Sequence, residues 1–502
     1  MKRFGLFILV SVLFLSTLPS ISFAEKNTTD LKKEMIYRIL VDRYFDVNPT
    51  NNKNTDPKDL NKSQGGDLEG ITKKLDYIKD FGYTTISISP IFESDVNSYD
   101  GFSVVNFRKI DPRFGTMEDL KKLVNEAHKR HMKVLIDFVA NNTSQNSELA
   151  KKSEYANWFN PSNSTSSEKK WINGLPDFNQ DNSEVANYLI ETGKYWMDQA
   201  KFDGYNLQEV NNVPVSFWKS FNQEIKKKNP NFILFADLNN TSEFDLKNYK
   251  NVGFDGIYNV NLVKDLADTF SSQNQALTNV MKQQFDLTKE LGSTVLINYV
   301  DDEMTKRFVS IAEEKGQYPP SRLKLALAYL YTTPGIPLSY YGTEIALNGG
   351  NIPDNRKGMD FRTDEKFSDY ITKLTELRRT LPSLSKGDSH ILYDSKGMTL
   401  IKRKYKKETT IIAINNTSFD KKVHLNFDVV NKSKELRGLQ ADDLVRPNKK
   451  GFDIVLKRES SNVYAVAPKT TLNIGVIIAI PSIFVAFVVF LWLARRRNNE
   501  EK

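Results

Sequence analysis

From about Met35 to Leu384, short runs of β-branched and aromatic residues alternate with runs whose apolar positions recur three or four apart. "TTISISP" (84–90) predicts a strand, and "TMEDLKKLVNEAHKRH" (116–131) predicts a helix with Leu120, Leu123, Val124 and Ala127 on one face. "KVLIDFVANN" (133–142) predicts the next strand. The order then returns: "FDGYNLQEV", "VSFWKSFNQEIKKK", "FILFADL" and later "TVLINYV". Repeated βα units over ~350 residues fit a closed (β/α)8 TIM barrel, an α/β fold, better than an open sheet. The barrel is placed at 25–385. The polar stretch 143–182, with Trp158 and Trp171, breaks the rhythm and is expected to be an inserted loop domain. After about Lys386 the period becomes two, in "GMTLIKRKYKKETTIIAINN", "KKVHLNFDVV" and "FDIVLKR". That pattern predicts a small antiparallel β-sandwich domain at 386–466.

The two ends add expectations of their own. Residues 1–24 read as a signal peptide: Lys2 and Arg3, an apolar run, then "SFA" before Glu25. Ile474 to Ala494 is an uncharged apolar run long enough for the ~30 Å hydrocarbon core. It is expected to be a transmembrane helix, and Arg495, Arg496 and Arg497 place 495–502 in the cytoplasm. The expected location is the cell membrane, single-pass, with the N-terminal body extracellular. The chain has no cysteine, which excludes disulfides and thiolate chemistry and fits a bacterial surface protein. A net charge of +8 over 502 residues is too small to point to nucleic acid.

Five stretches, taken together and in order, resemble the α-amylase family, glycoside hydrolase family 13. They are "GGDLEGITKKLDYIKDFGYTTISISPIFES", "IDPRFGTMEDLKKLVNEAHKRHMKVLIDFVANNTS", "FDGYNLQEV", "PGIPLSYYGTEIALNGGNIPDNRKGMDF" and the terminal β domain. The early segment is most similar to the cyclodextrin glucanotransferase and maltogenic amylase branch. The resemblance implies retaining glycoside cleavage, with a carboxylate nucleophile and a protonated carboxyl ~5–5.5 Å apart.

Carried over residue by residue, the family's Arg and nucleophilic Asp fall on Asn206 and Gln208, and its acid falls on Asp237. Counting back from Arg307–Phe308 puts the third carboxylate at Met304, with Glu303 and Asp302 before it. Glu209 neighbours Gln208 but should point to the other face of a strand. The family's sugar-binding histidines fall on Asn142 and Asp100. Tyr99, Asp100, Asn142, Arg307 and Arg356 are the substrate-binding candidates. An amide cannot serve as the nucleophile. The resulting expectation is a membrane-anchored α-amylase-like protein without catalysis, a pseudoenzyme that binds a glycan or a partner protein at the cell surface. The alternative is an α-glucan hydrolase or glucanotransferase with a rebuilt site using Asp237.

The resemblance also implies calcium. Asp46, Asn48, Asn51, Asn52, Gly65 and Asp67 match one calcium loop of the family. Asn141 and Asp177, with a backbone oxygen of Asn212, match a second. Oxygen donors of this kind suit the 6–8 ligands of Ca²⁺.

Overall fold

The computed structural model describes residues 30–238, 246–469 and 474–500. Eight parallel strands close into a barrel: β1 (Ile36–Ile39), β2 (Thr85–Ile88), β3 (Lys133–Val139), β4 (Gly204–Gln208), β5 (Ile233–Ala236), β6 (Gly256–Tyr258), β7 (Val295–Asn298) and β8 (Ile336–Tyr340). Neighbours in the barrel are neighbours in sequence, and β8 closes on β1. The strands are buried on both faces because one face fills the barrel interior and the other packs beneath the helices. The expected helix is present at Met117–Lys129, and its expected face, Leu120, Leu123, Val124 and Ala127, is buried. Thr116 caps it in a reciprocal capping box with Asp119, which satisfies donors the first turn would leave open.

Segment 143–182 forms short helical turns, held to the body by the bridge Asn142 to Asp177 and closed on itself by the bridge Phe159 to Phe178. Its aromatics pack inward. Trp158 lies against Tyr155 and Tyr188, Phe159 stacks on Phe178, and the Trp171 indole donates to the Asn160 carbonyl.

The C-terminal region is an antiparallel six-stranded sheet covered by a two-stranded sheet of Lys421–Asn426 and Gly451–Leu456. The period of two sorts its residues between the two faces. Leu400, Ile411 and Ala413 face the two-stranded sheet, whereas Ile401, Ile412 and Ile414 join the barrel's own core. The junction is further tied by Arg322, which bonds Asn416 and reaches Glu459 at 3.3 Å.

Two expectations at the chain ends come out differently. The signal peptide at 1–24 lies outside the described residues. A helix does run over Ile474–Glu500. Among the described residues, however, no helix is long and apolar enough to cross a membrane. The transmembrane helix, the membrane anchoring and the single-pass topology are corrected on that finding.

Gly204 opens β4 where three strands crowd together. A methyl group there would lie 2.4 Å from the Ile233 carbonyl oxygen and 2.8 Å from Leu135. Gly204→Ala is therefore expected to destabilise the barrel by about 1–3 kcal/mol, as overpacking does. Thermal unfolding checks this, and an unchanged midpoint would show that β4 and β5 can separate freely.

Candidate active site

The C-terminal ends of the barrel strands bring together a set of charged and amide side chains that is almost closed to solvent. At its centre is Arg38 on β1, a cation inside a strand that is otherwise apolar or aromatic and buried at every position. Its guanidinium forms a fork to Asp137 of β3, with Nη2 2.6 Å from Oδ2. It also pairs with Glu303 in the loop after β7, where Nε lies 3.1 Å from Oε1. Ser87 of β2 accepts from Nη1 at 3.2 Å.

Asp137 passes the network to β4. Asn206 Nδ2 lies 3.1 Å from Asp137 and 3.3 Å from Asp237. Gln208 Nε2 lies 3.0 Å from Asp137 and 3.1 Å from Asp237. Alternation along β4 sends Asn206 and Gln208 to the same face, so both amides bridge the two carboxylates. The backbone fixes Asp237 in turn: its N–H donates to the Leu207 carbonyl, and its carbonyl accepts from Val210 N–H.

Electrostatics sets the protonation of this cluster. Burial pushes the Asp237 carboxyl well above the usual carboxylate range, and the charges of Glu303, Asp302 and Asp137 push it further than Arg38 can pull it back. Asp137 is raised to about 6, first by burial, with Arg38 opposing. Asp302 is raised by burial and by Glu303. Glu303 goes the other way. Burial acts against its charge, but the guanidinium of Arg38 outweighs burial and holds its pKa below the ordinary value. The site thus contains one carboxyl held neutral, Asp237, and one held ionised, Glu303.

The loop after β7 departs from the expected geometry. The strand ends at Asn298, and Asp302 to Thr305 form a turn in which Met304 N–H donates to Asp302 Oδ1 at 2.9 Å. Strand alternation does not extend into that turn. Met304 is 48% exposed and accepts from Arg356 through Sδ, while Asp302 and Glu303 are buried.

The remaining sugar-facing candidates are spread out. Arg356 pairs with Asp100 at 2.9 Å and reaches Tyr99 Oη at 3.3 Å. The Tyr99 ring is covered by the Arg43 guanidinium, 3.9 Å from its centroid. Asn142 is buried at the bridge to Asp177. Arg307 is fully buried, stacked 4.0 Å over Tyr340 and bonded to the Asn355 carbonyl. That geometry corrects its expected place against substrate, because it braces the loops from below.

Sequence reasoning missed Arg38, Asp137 and Glu303. For the first two a signal existed: each is the one charge within an apolar or aromatic run, "IYRI" and "VLIDFV". Such a charge persists only when paired.

The calcium candidates fall into two groups. In the first loop Asp46 Oδ2 accepts from Asn52 Nδ2 at 2.6 Å, with the Gly65 backbone packed against both. The side-chain oxygens of Asn51 and Asn52 are buried without a partner. Asn48 instead bonds Thr50, and Asp67 accepts from the N–H groups of Val47, Asn48 and Gly70. In the second group Asn141 Oδ1 and Asp177 Oδ1 are likewise buried and unpartnered. Both sets therefore leave oxygen donors open, as a hard cation requires.

Known proteins can now be set beside this geometry. Residues 38–382 match the model of the alpha-amylase catalytic domain, and 387–464 match the alpha-amylase C-terminal domain. An alpha-amylase from Anoxybacillus is 42% identical, with a TM-score of 0.84 over 88% of this chain and 99% of that one. The alpha-amylase of Geobacillus thermoleovorans, solved with acarbose, is 41% identical with a TM-score of 0.83 over 88% and 99%. A cyclomaltodextrinase of Thermoanaerobacter pseudethanolicus is 28% identical, over 80% of this chain and 73% of its own. The chain spans 38% of the beta/alpha-amylase of Paenibacillus polymyxa, which is 27% identical.

These relatives are amylases and a cyclomaltodextrinase, and the likeness to them runs through the barrel and the C-terminal domain alike. They overturn the expectation of a membrane-anchored, catalytically inactive protein that binds a glycan or a partner protein at the cell surface. The chain belongs to the alpha-amylase family, glycoside hydrolase family 13.

Proposed function

We propose that this protein acts on α-glucans, as a hydrolase or glucanotransferase, through a rebuilt site in which Asp237 is the proton donor. One observation carries the reading: at the mouth of an α-amylase barrel, Asp237 is held neutral, with Gln208 and Asn206 bonded to it. A carboxyl kept protonated near neutral pH is what a leaving glycosidic oxygen needs. The relatives named cyclomaltodextrinase and alpha-amylase support the substrate class.

The second group is the point of departure from the family pattern. The place beside Asp237 where the resemblance puts the nucleophile holds the Gln208 amide, 3.1 Å away. No covalent glycosyl intermediate forms on an amide. Asp302 is the partner carboxylate: its charge reaches Asp237, and no arginine hydrogen-bonds it as Arg38 does Glu303. For hydrolysis, Asp302 receives the proton of an attacking water while Asp237 gives its own to the leaving oxygen. That is direct displacement with inversion. We also infer that Ca²⁺ is a structural ion, held in the first loop chiefly by Asp46, Asn51 and Asn52. Its contribution is to fix the loop around Gly65.

Purified protein offered maltooligosaccharides and cyclodextrins should release shorter sugars, and Asp237→Asn should abolish the release. Silence in the unaltered protein, or equal release by the variant, would sink the reading. The first product should carry the β-anomeric configuration, read by proton NMR before mutarotation. An α-product would put a carboxylate of this cluster, Asp302 first, in the nucleophile's role and would overturn direct displacement.

Stability should respond to pH with a definite sign. A native Asp237 that holds its proton above the unfolded carboxylate range makes the folded state bind more protons, so its contribution to stability falls as pH rises through that range. Asp237→Asn removes the dependence. Its melting temperature should exceed that of the parent at pH 8, and the difference should shrink towards pH 4. A constant difference across that range would show Asp237 to be ionised in the fold.

A further inference from the structure

Tyr258 ends β6, next to the strand that leads into Asp237, and its hydroxyl takes no part in the hydrogen-bond network around Arg38. Paired residues across β3 to β6 form one row, Asp137, Asn206, Phe235 and Gly256. Asp137 and Asn206 bond within the barrel mouth, so this row faces inward. Two residues on from Gly256, alternation sends Tyr258 to the same face. Ala236 pairs with Ile257, so the next residues, Asp237 and Tyr258, lie side by side on strands ~4.8 Å apart. The Tyr258 ring is held in place. Gly256 gives up its side-chain space to Phe235, since a Cβ there would lie 2.9 Å from that ring. Tyr299 meets Tyr258 edge to face, with centroids 5.7 Å apart.

The hydroxyl at the end of that ring is the unusual group. Tyr258 is 2% exposed, and its Oη is buried without a hydrogen-bond partner. Leaving a buried donor unpaired costs stability. Burial raises its pKa well above the ordinary value, so it keeps its proton, and the charges of Arg38, Asp237, Asp137 and Glu303 all reach it. Asp237 has a complementary need. The amides of Asn206 and Gln208 both bond its Oδ2. Oδ1 is then the oxygen left to carry the proton. When that proton departs, Oδ1 becomes a charged acceptor in a site where burial and the charges of Glu303, Asp302 and Asp137 work against it, with Arg38 opposing them.

We propose that Tyr258 is a positioning residue for the reaction: its hydroxyl turns to donate to Asp237 Oδ1 as that carboxyl protonates the leaving oxygen. This rests on Asp237 being the acid. The O–H turns about a single bond while the ring stays packed. Protons balance without the tyrosine: one passes from Asp237 to the glycosidic oxygen, and Tyr258 keeps its own. The new hydrogen bond exists only when Asp237 carries charge, so it acts on the transition state and not on substrate binding. Asn206 and Gln208, already bonded to Oδ2, cannot supply it.

Tyr258→Phe tests this, because it removes the hydroxyl and keeps the ring. Two substrates are compared on the full-length protein. One is a maltooligosaccharide, whose leaving oxygen needs a proton. The other is the 4-nitrophenyl glycoside of a short maltooligosaccharide, read by nitrophenol release, whose phenolate leaves without one. On the first, kcat should fall about ten- to a hundredfold, the worth of one hydrogen bond to a charged group, with KM held within about twofold. On the second, kcat should stay near the parent's. The alkaline limb of kcat on the first substrate should move to higher pH, because Asp237 ionises less readily without its donor. At pH 5 the variant should melt no lower than the parent, since the hydroxyl it lacks had no partner. Asp237→Asn is the reference. An equal loss on both substrates there would remove Asp237 as the acid, and the role of Tyr258 with it. Where Asp237→Asn does tell the substrates apart, three results for Tyr258→Phe would each overturn the proposal: equal loss on both substrates, parental kcat on the first, or a lower melting point at pH 5.

Discussion

The barrel mouth depends on one buried ion cluster, the Arg38 guanidinium clamped between Asp137 and Glu303. All three side chains are almost fully excluded from water. A lone charge at that depth would be very costly, and deleting one partner of a buried pair typically costs about 3–5 kcal/mol. The cluster therefore fixes its members in place, and they come from distant parts of the chain: β1, β3 and the loop after β7. Asp137 has further lone pairs, and the amides of Asn206 and Gln208 fill them. Through those amides the clamp extends to Asp237 at the end of β5. Four strand ends are thus positioned relative to one another by a single cation.

The charge balance of that cluster explains why Asp237 is neutral. Arg38 is bonded to Asp137 and Glu303, and its charge also reaches Asp237. Arg38 is close enough to keep Glu303 ionised, and it cannot do the same for the rest. Asp237, bonded by the two amides and not by the guanidinium, keeps its proton. The exchange at β4 fits the same balance. Where the family pattern places an Arg and an Asp two residues apart, Asn206 and Gln208 remove one positive and one negative charge together. The net charge of the pocket is unchanged by the pair, whereas either replacement alone would have left a buried charge without its counter-ion. The amides keep the hydrogen-bonding capacity of the pair without its charge.

The fold was legible because its signals are local and mutually consistent. Apolar β runs such as "TTISISP" and "TVLINYV", and the capped helix at Met117–Lys129, all repeat with one period. Asp237 was legible from the family motif. Glu303 was not, because counting back from Arg307 assumes a strand. The chain leaves the strand at Asn298, and a turn decides which side chains enter the site. Arg307 misled for a related reason: a motif arginine can brace a loop from beneath as readily as it can meet substrate, and only its stacking on Tyr340 tells the two apart. The C-terminal apolar run shows a limit of composition. Uniform hydrophobicity signals a membrane span, yet no described helix meets the length and apolarity of one.

The end of β4 shows how adjacent residues can serve separate centres. Gln208 is the last strand residue and keeps the inward direction that alternation assigns it. Glu209 begins a turn in the left-handed region, which is unfavourable for a residue with a side chain unless the surroundings hold it. Here the hold is specific. Val210 N–H donates to the Asp237 carbonyl, Asn212 N–H donates to the Glu209 carbonyl, and Asn141 bonds the Glu209 carboxylate. The same turn therefore fixes the backbone of the proposed acid and aims Glu209 at the inserted segment. Disturbing either centre shifts a peptide shared with the other. The bridge from Asn142 to Asp177 is thus mechanically continuous with the network around Arg38, although no side chain belongs to both.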